Sequence, residues 1–184
     1  MAGSYQRTPN GYEQPAGDLG GIAEVADIAD VADIAEGRKA HDRAKESALR
    51  MLAGREHSAR ELQRKLVGKR HDPELVSGVL AELRSAGLQS DVRFAEGYVR
   101  VRTGKGFGPM SIRQGLAERG IADDLVESCL TQCTEHWLDL ANRAVDKRFK
   151  CGIGGDRNEW NRRARFLSGR GFPADIIYRA LGES

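Results

Sequence analysis

The chain has 184 residues, 40% of them hydrophobic, 30% charged and 6% aromatic, with a mean hydropathy of −0.53, a balance that suits a protein with much water-facing helix surface. No run approaches the roughly 18 apolar residues of a membrane span, and the N-terminus has neither the basic start nor the unbroken apolar stretch of a secretory signal. The expected compartment is therefore the cytoplasm, with no membrane partner.

The net charge of +2 is unevenly spread: residues 1–43 hold eight Asp/Glu against four Lys/Arg, and the rest of the chain nineteen against twenty-five. A basic body behind an acidic leader can approach nucleic acid or an acidic patch on a protein. Residues 1–21 are rich in Gly, Pro, Ser and Asn and are expected to be disordered. Residues 22–37 repeat an acid every third position, at Glu24, Asp27, Asp30, Asp33 and Glu36. A period of three drifts around a helix of 3.6 residues per turn, so these acids spiral instead of lining one face. The tract is expected to be solvated and only partly helical; the functional alternative is a polyanion mimic that shields the basic body. Residues 1–41 thus form a disordered or weakly helical leader.

From about residue 42 the pattern becomes helix after helix, with Gly or Pro at the joints and no strand-like alternation. Helices are expected over 42–54, 58–70 and 72–86, then 91–105, 109–119 and 123–135, then 137–150, 157–169 and 173–182. Ser58 with Glu61 reads as a capping box, and Leu62, Leu66 and Val67 as a buried face. Asp72-Pro73 places a cap acceptor before a proline at the first helical position.

The helices repeat. At an offset of fifty, Leu62, Leu66, Leu75, Val76, Val79 and Leu80 fall on Ile112, Leu116, Leu125, Val126, Cys129 and Leu130. At fifty-one more, Leu116, Gly120, Ile121, Leu125, Val126 and Leu130 fall on Leu167, Gly171, Phe172, Ile176, Ile177 and Leu181, while Arg163 breaks the apolar match with Ile112. The expected fold is all-α: three tandem three-helix repeats over 42–88, 89–135 and 136–184 whose small cores need stacking, forming an elongated, curved body.

The sharpest local pattern is KGFGPMSIRQGLAERGI at 105–121. Gly106 and Gly108 allow a tight turn, Pro109 starts a helix, and Gly120 ends it before Ile121 packs back. Lys105 and Arg113 flank that helix start, where free amides favour anions, so a phosphate site competes with plain repeat architecture, which is the better reading. Cys129, Cys133 and His136 share a helix face, but a closed metal site wants four ligands, and small buried helix residues explain the cysteines better. No metal or cofactor is expected.

The run G-x-G-P-x-x-I-R followed by R-G-I resembles the middle repeat of the RecX family. Arg55-Glu56-His57-Ser58 with Glu61-Leu62 and Lys65-Leu66 is similar to that family's first repeat. Asp91, Phe94 and Ala95 look like the start of its second, and Phe166-Leu167 with Arg170-Gly171-Phe172 resembles its third. The likeness covers 42–182. Departures are Ser90 before Asp91, Ser111 before Ile112, and Arg70-His71 where a glycine and an apolar residue are usual.

The resemblance implies a non-enzymatic monomer that binds RecA and the RecA–single-stranded DNA filament and restrains filament extension, ATPase, strand exchange and coprotease activity. Weak non-specific DNA binding is compatible with it. The basic residues offered as contacts are Arg100, Arg102, Lys105 and Arg113 in the second repeat, with Arg162, Arg163, Arg165 and Arg170 in the third. A direct DNA-binding protein of helix-turn-helix type, or an adaptor for another partner, remains the alternative; against the former, no single helix gathers a base-reading set.

Overall fold

The computed structural model describes residues 20–132, 136–149 and 157–182, with side chains from residue 31 onward. The expectation of disorder at 1–21 therefore falls, up to residue 19, outside the described residues. Among the described residues there are nine helices and no strand: α1 Gly20–Gly54, α2 Ala59–Gly68, α3 Pro73–Ser85, α4 Asp91–Gly104, α5 Pro109–Ala117, α6 Asp123–Thr131, α7 Trp137–Phe149, α8 Arg157–Gly169 and α9 Ala174–Leu181. The chain divides into two compact units, Met1–Lys39 and Ala40–Ser184.

The first unit holds the largest departure from expectation. α1 begins at Gly20 and takes in the whole period-three acidic tract. No proline interrupts 22–36 and alanine recurs through it, so local propensity suffices where an apolar stripe is lacking. The side chains of residues 31–39 are exposed.

The second unit is built from helix trios whose ends follow the signals in the sequence. The Ser58 hydroxyl accepts from the Glu61 amide at 3.1 Å, and Asp72 accepts from the Glu74 and Leu75 amides at 2.9 and 3.0 Å. Pro109 opens α5 behind Gly108. Each middle helix ends in one left-handed residue, Arg70, Gly120 or Gly171 (φ 67°, 74° and 83°). The following amide then bonds back five residues: His71 to Leu66, Ile121 to Leu116 and Phe172 to Leu167, the six-to-one bond of a Schellman motif.

Packing divides these helices between two cores. Ala44 and Ala48 of α1 join Leu62, Leu66, Val76, Val79, Leu80 and Leu83 in one. The other is continuous through α4 to α9, running from Phe94 through Ile112, Leu116, Val126, Cys129, Trp137 and Leu167 to Ile177 and Leu181. Cys129 is thus a buried helix residue, whereas Cys133 lies outside the described residues and His136 is exposed. Val67, expected in the core, is 39% exposed; one residue past Leu66 turns it about 100° away from the Leu62–Leu66 face.

Candidate functional site

The turn between α8 and α9 docks on the start of α5. The Gly108 amide donates to the Arg170 carbonyl at 2.8 Å and the Met110 amide to the Gly171 carbonyl at 3.0 Å. These bonds occupy amides at the α5 N-terminus, so no anion is needed to satisfy them, and the phosphate-site alternative at that helix start is replaced by repeat-to-repeat docking. The approach demands glycine on both sides: a Cβ on Gly108 would stand 2.5 Å from the Gly171 carbonyl oxygen, and one on Gly171 2.4 Å from the Ser111 nitrogen. The two sharpest motifs of the sequence, some sixty residues apart, are the two halves of this joint.

The same joint recurs one repeat earlier in polar form. The Ser58 hydroxyl donates to the Arg119 carbonyl at 2.8 Å, and a Cβ on Gly120 would meet the Arg60 side chain at 2.5 Å. Around it, Glu61 accepts from His57 Nδ1 at 3.0 Å, with Arg55 at 3.3 Å and Arg119 Nε at 3.2 Å. The second half of the expected capping box is therefore absent among these contacts: Glu61 turns to this cluster instead of to the Ser58 amide. Asp91 accepts from the Ala59 amide and from Gln89, which also donates to the His57 carbonyl. Burial pushes the His57 imidazole below its ordinary value, aided by Arg55 and Lys65 against the pull of the Glu61 bond. For Glu61, burial pulls upward, but the His57 bond and the Arg55 and Arg119 charges outweigh it and leave the carboxyl below its usual range.

Beside the second joint lies a cleft of about 440 Å³, walled by the end of α4, the flank of α7 and the α8–α9 turn. Lys105, Arg143, Lys147, Arg148 and Arg170 line it, with Leu140, Ala144 and Phe166 as its apolar part and no carboxylate among the described residues of its lining. Arg170 spans the repeats by donating to the Lys105 carbonyl at 2.6 Å, its guanidinium 5.2 Å from the Phe107 ring centre and 4.9 Å from that of Phe166.

Of the eight cations read from the sequence, Lys105 and Arg170 meet in this cleft. Arg102 instead stacks 3.9 Å from the Phe107 ring centre, and Arg113 forms a two-pronged pair with Glu127 at 2.7 and 3.0 Å. That bond raises the Arg113 pKa and lowers the Glu127 pKa. Arg100, Arg162 and Arg165 are exposed and lie outside the cleft lining. Arg163 needs correction as a surface contact: it is 5% exposed, occupies the core position of Ile112 and pairs with Glu159 at 3.2 Å. The sequence reading missed Arg143, Lys147 and Arg148. Their signal was available, because Leu140, Arg143, Ala144, Lys147 and Arg148 follow the i, i+3, i+4, i+7, i+8 spacing of one helix face.

Comparison with known proteins gives one consistent result. The chain matches the RecX first three-helix domain over residues 44–83, the second over 90–130 and the third over 134–181. It is 43% identical over 141 residues to the regulatory protein RecX of Halorhodospira halophila, covering 77% of this chain and 88% of that one. It is likewise 43% identical over 141 residues to that of Legionella pneumophila strain Corby, covering 77% and 94%. In fold it is similar to the crystal structure of RecX from Lactobacillus salivarius, with a TM-score of 0.68, 23% identity and coverage of 78% and 96%. A second crystal structure, of a regulatory protein RecX, matches with a TM-score of 0.70 and 25% identity, covering 84% of this chain and 76% of that one.

Proposed function

The chain belongs to the RecX family, and from that premise we propose that it binds RecA and the RecA–single-stranded DNA filament and restrains filament extension. Reduced ATPase, strand exchange and coprotease activity follow from that restraint. The observation that carries the reading is the match of all three helix trios, in order, to the RecX domains, alongside relatives that bear the name of regulatory protein. The role is regulatory and not catalytic, requires no cofactor, and is exercised in the cytoplasm by a monomer.

The mechanism is distributed contact. A tandem-repeat protein binds through modest interactions spread over successive units, so its inhibition depends on several surfaces and on no single reactive group. The exposed candidates Arg100, Arg162 and Arg165, with Lys105 and Arg170 at the cleft, supply positive charge to such contacts.

Titration of the full chain into RecA on single-stranded DNA, following ATP hydrolysis and strand exchange, tests the proposal. Inhibition well below one chain per RecA monomer is the expected result and indicates action on the filament. Unchanged RecA activity at stoichiometric excess rejects it.

A further inference from the structure

The cleft between the second and third repeats concentrates positive charge that no carboxylate among the described residues pairs with. Lys105, Arg143, Lys147, Arg148 and Arg170 converge on it from three elements, and none of the five is paired with a carboxylate among the described residues. Elsewhere the chain pairs its cations readily: Arg113 with Glu127, Arg93 with Glu56, Lys45 with Glu82, and Arg163 with Glu159. Arg143 and Lys147 moreover stand one helical turn apart on α7, an arrangement that costs a helix roughly 0.2–0.5 kcal/mol for each like-charge pair. Such repulsion is relieved when an anion fills the cleft.

The form of the cleft narrows the choice of anion. Three guanidinium groups offer forked donors that fit phosphate oxygens, and two lysines add point charges. Gly104 brings bare backbone to one wall, with open space where its Cβ would stand. Phe166, held edge-on to Phe149 at 5.4 Å, supplies an aromatic surface within the lining. Cations tracking a backbone beside an aromatic ring are the elements by which proteins hold single strands irrespective of sequence.

We propose that this cleft is a phosphodiester site that takes the backbone of single-stranded nucleic acid. The assignment deepens the reading that the chain works at a RecA–DNA filament and rests on it for its biological setting, though its chemistry is tested without RecA. The cleft would seat on strand phosphates while other surfaces of the repeats contact protein, so that the two kinds of contact reinforce each other.

Fluorescence anisotropy of a short labelled oligothymidylate, titrated with the full chain at several salt concentrations, is the test. The double reversal Arg143→Glu/Lys147→Glu alters exposed side chains of α7 and is expected to weaken binding at least ~10-fold, with a salt slope shallower by about 0.7 for each phosphate no longer engaged. Lys147→Glu/Arg148→Glu should do the same. Arg64→Glu, an exposed reversal outside the cleft lining, should bind like the parent. Parent-like binding by both double variants overturns the assignment, as does displacement of the oligothymidylate by polyglutamate as effective as by unlabelled oligothymidylate, which would make the cleft a seat for acidic protein. A chain that inhibits RecA but is indifferent to the reversals keeps its function and loses this site. One that binds oligothymidylate through the cleft yet leaves RecA untouched keeps the site and loses the function.

Discussion

Arg70, Gly120 and Gly171 occupy equivalent positions in the three repeats, and all three adopt the left-handed conformation. Only glycine holds it without a Cβ penalty of about 1–2 kcal/mol. Arg70→Gly should therefore stabilise the first repeat by up to about 1 kcal/mol, part of the strain relief being offset by the freer unfolded chain; a raised urea midpoint checks it. Gly171→Ala should do the reverse by about 2–4 kcal/mol, since strain adds to a collision with the Ser111 backbone. An unchanged midpoint would remove the docking account of that glycine.

His57 gives a pH prediction of definite sign. Its folded pKa lies below the ordinary 6.5, so between the two values the unfolded chain binds a proton that the folded chain refuses. Its stability contribution is present above pH 6.5 and is lost as pH falls through the folded value. Glu61, also depressed, adds loss of the same sign below its ordinary 4.5. The urea midpoint should fall between pH 7 and 5, and less steeply in His57→Gln. The sequence placed His57 one helical turn before Glu61, but the cluster that turns Glu61 away from the capping box was not legible, because Arg119, a further partner of that carboxylate, comes from 58 residues along the chain.

At the scale of the element, helix ends were the most legible feature. Caps and stops depend on residues within a turn of each other, so Ser58, Asp72, Pro109 and Gly120 announce them locally. The products of assembly were hidden: that the α8–α9 turn caps α5, or that Ser58 serves two repeats at once. Ser58→Ala should cost about 2 kcal/mol, near the top of the range for a lost cap, because the Arg119 carbonyl loses its partner as well. Asp72→Ala, whose bonds stay within its own exposed helix start, should cost about 1 kcal/mol. Thermal unfolding of the pair decides whether the two caps differ. The long α1 marks the opposite limit, where helix persists without the amphipathic period on which the sequence reading relied.

Across the whole molecule, the threefold helical architecture was visible in the apolar spacing, since Leu62, Ile112 and the buried Arg163 hold one equivalent position. The partition into two cores was not, because the same spacing describes a repeat that merges with its neighbour and one that meets it through polar groups. The division predicts unequal cooperativity. Leu66→Ala should speed amide exchange in α2 and α3 while leaving α5 to α9 near their original protection; Leu167→Ala should loosen α4 through α9 together. Uniform acceleration in both variants would mean a single cooperative unit.

The repeated joint carries a consequence for how such a chain can change length. One half of it is a helix start and the other the turn two helices further along the next unit, and the middle repeat possesses both, at Gly108 and at Arg119-Gly120. A copy of the second three-helix domain, matched over residues 90–130, spliced in after itself would meet, on each side, a surface of the kind it already fits. The unit is therefore a tile with matching edges, and gene duplication can extend the row without inventing a new seam.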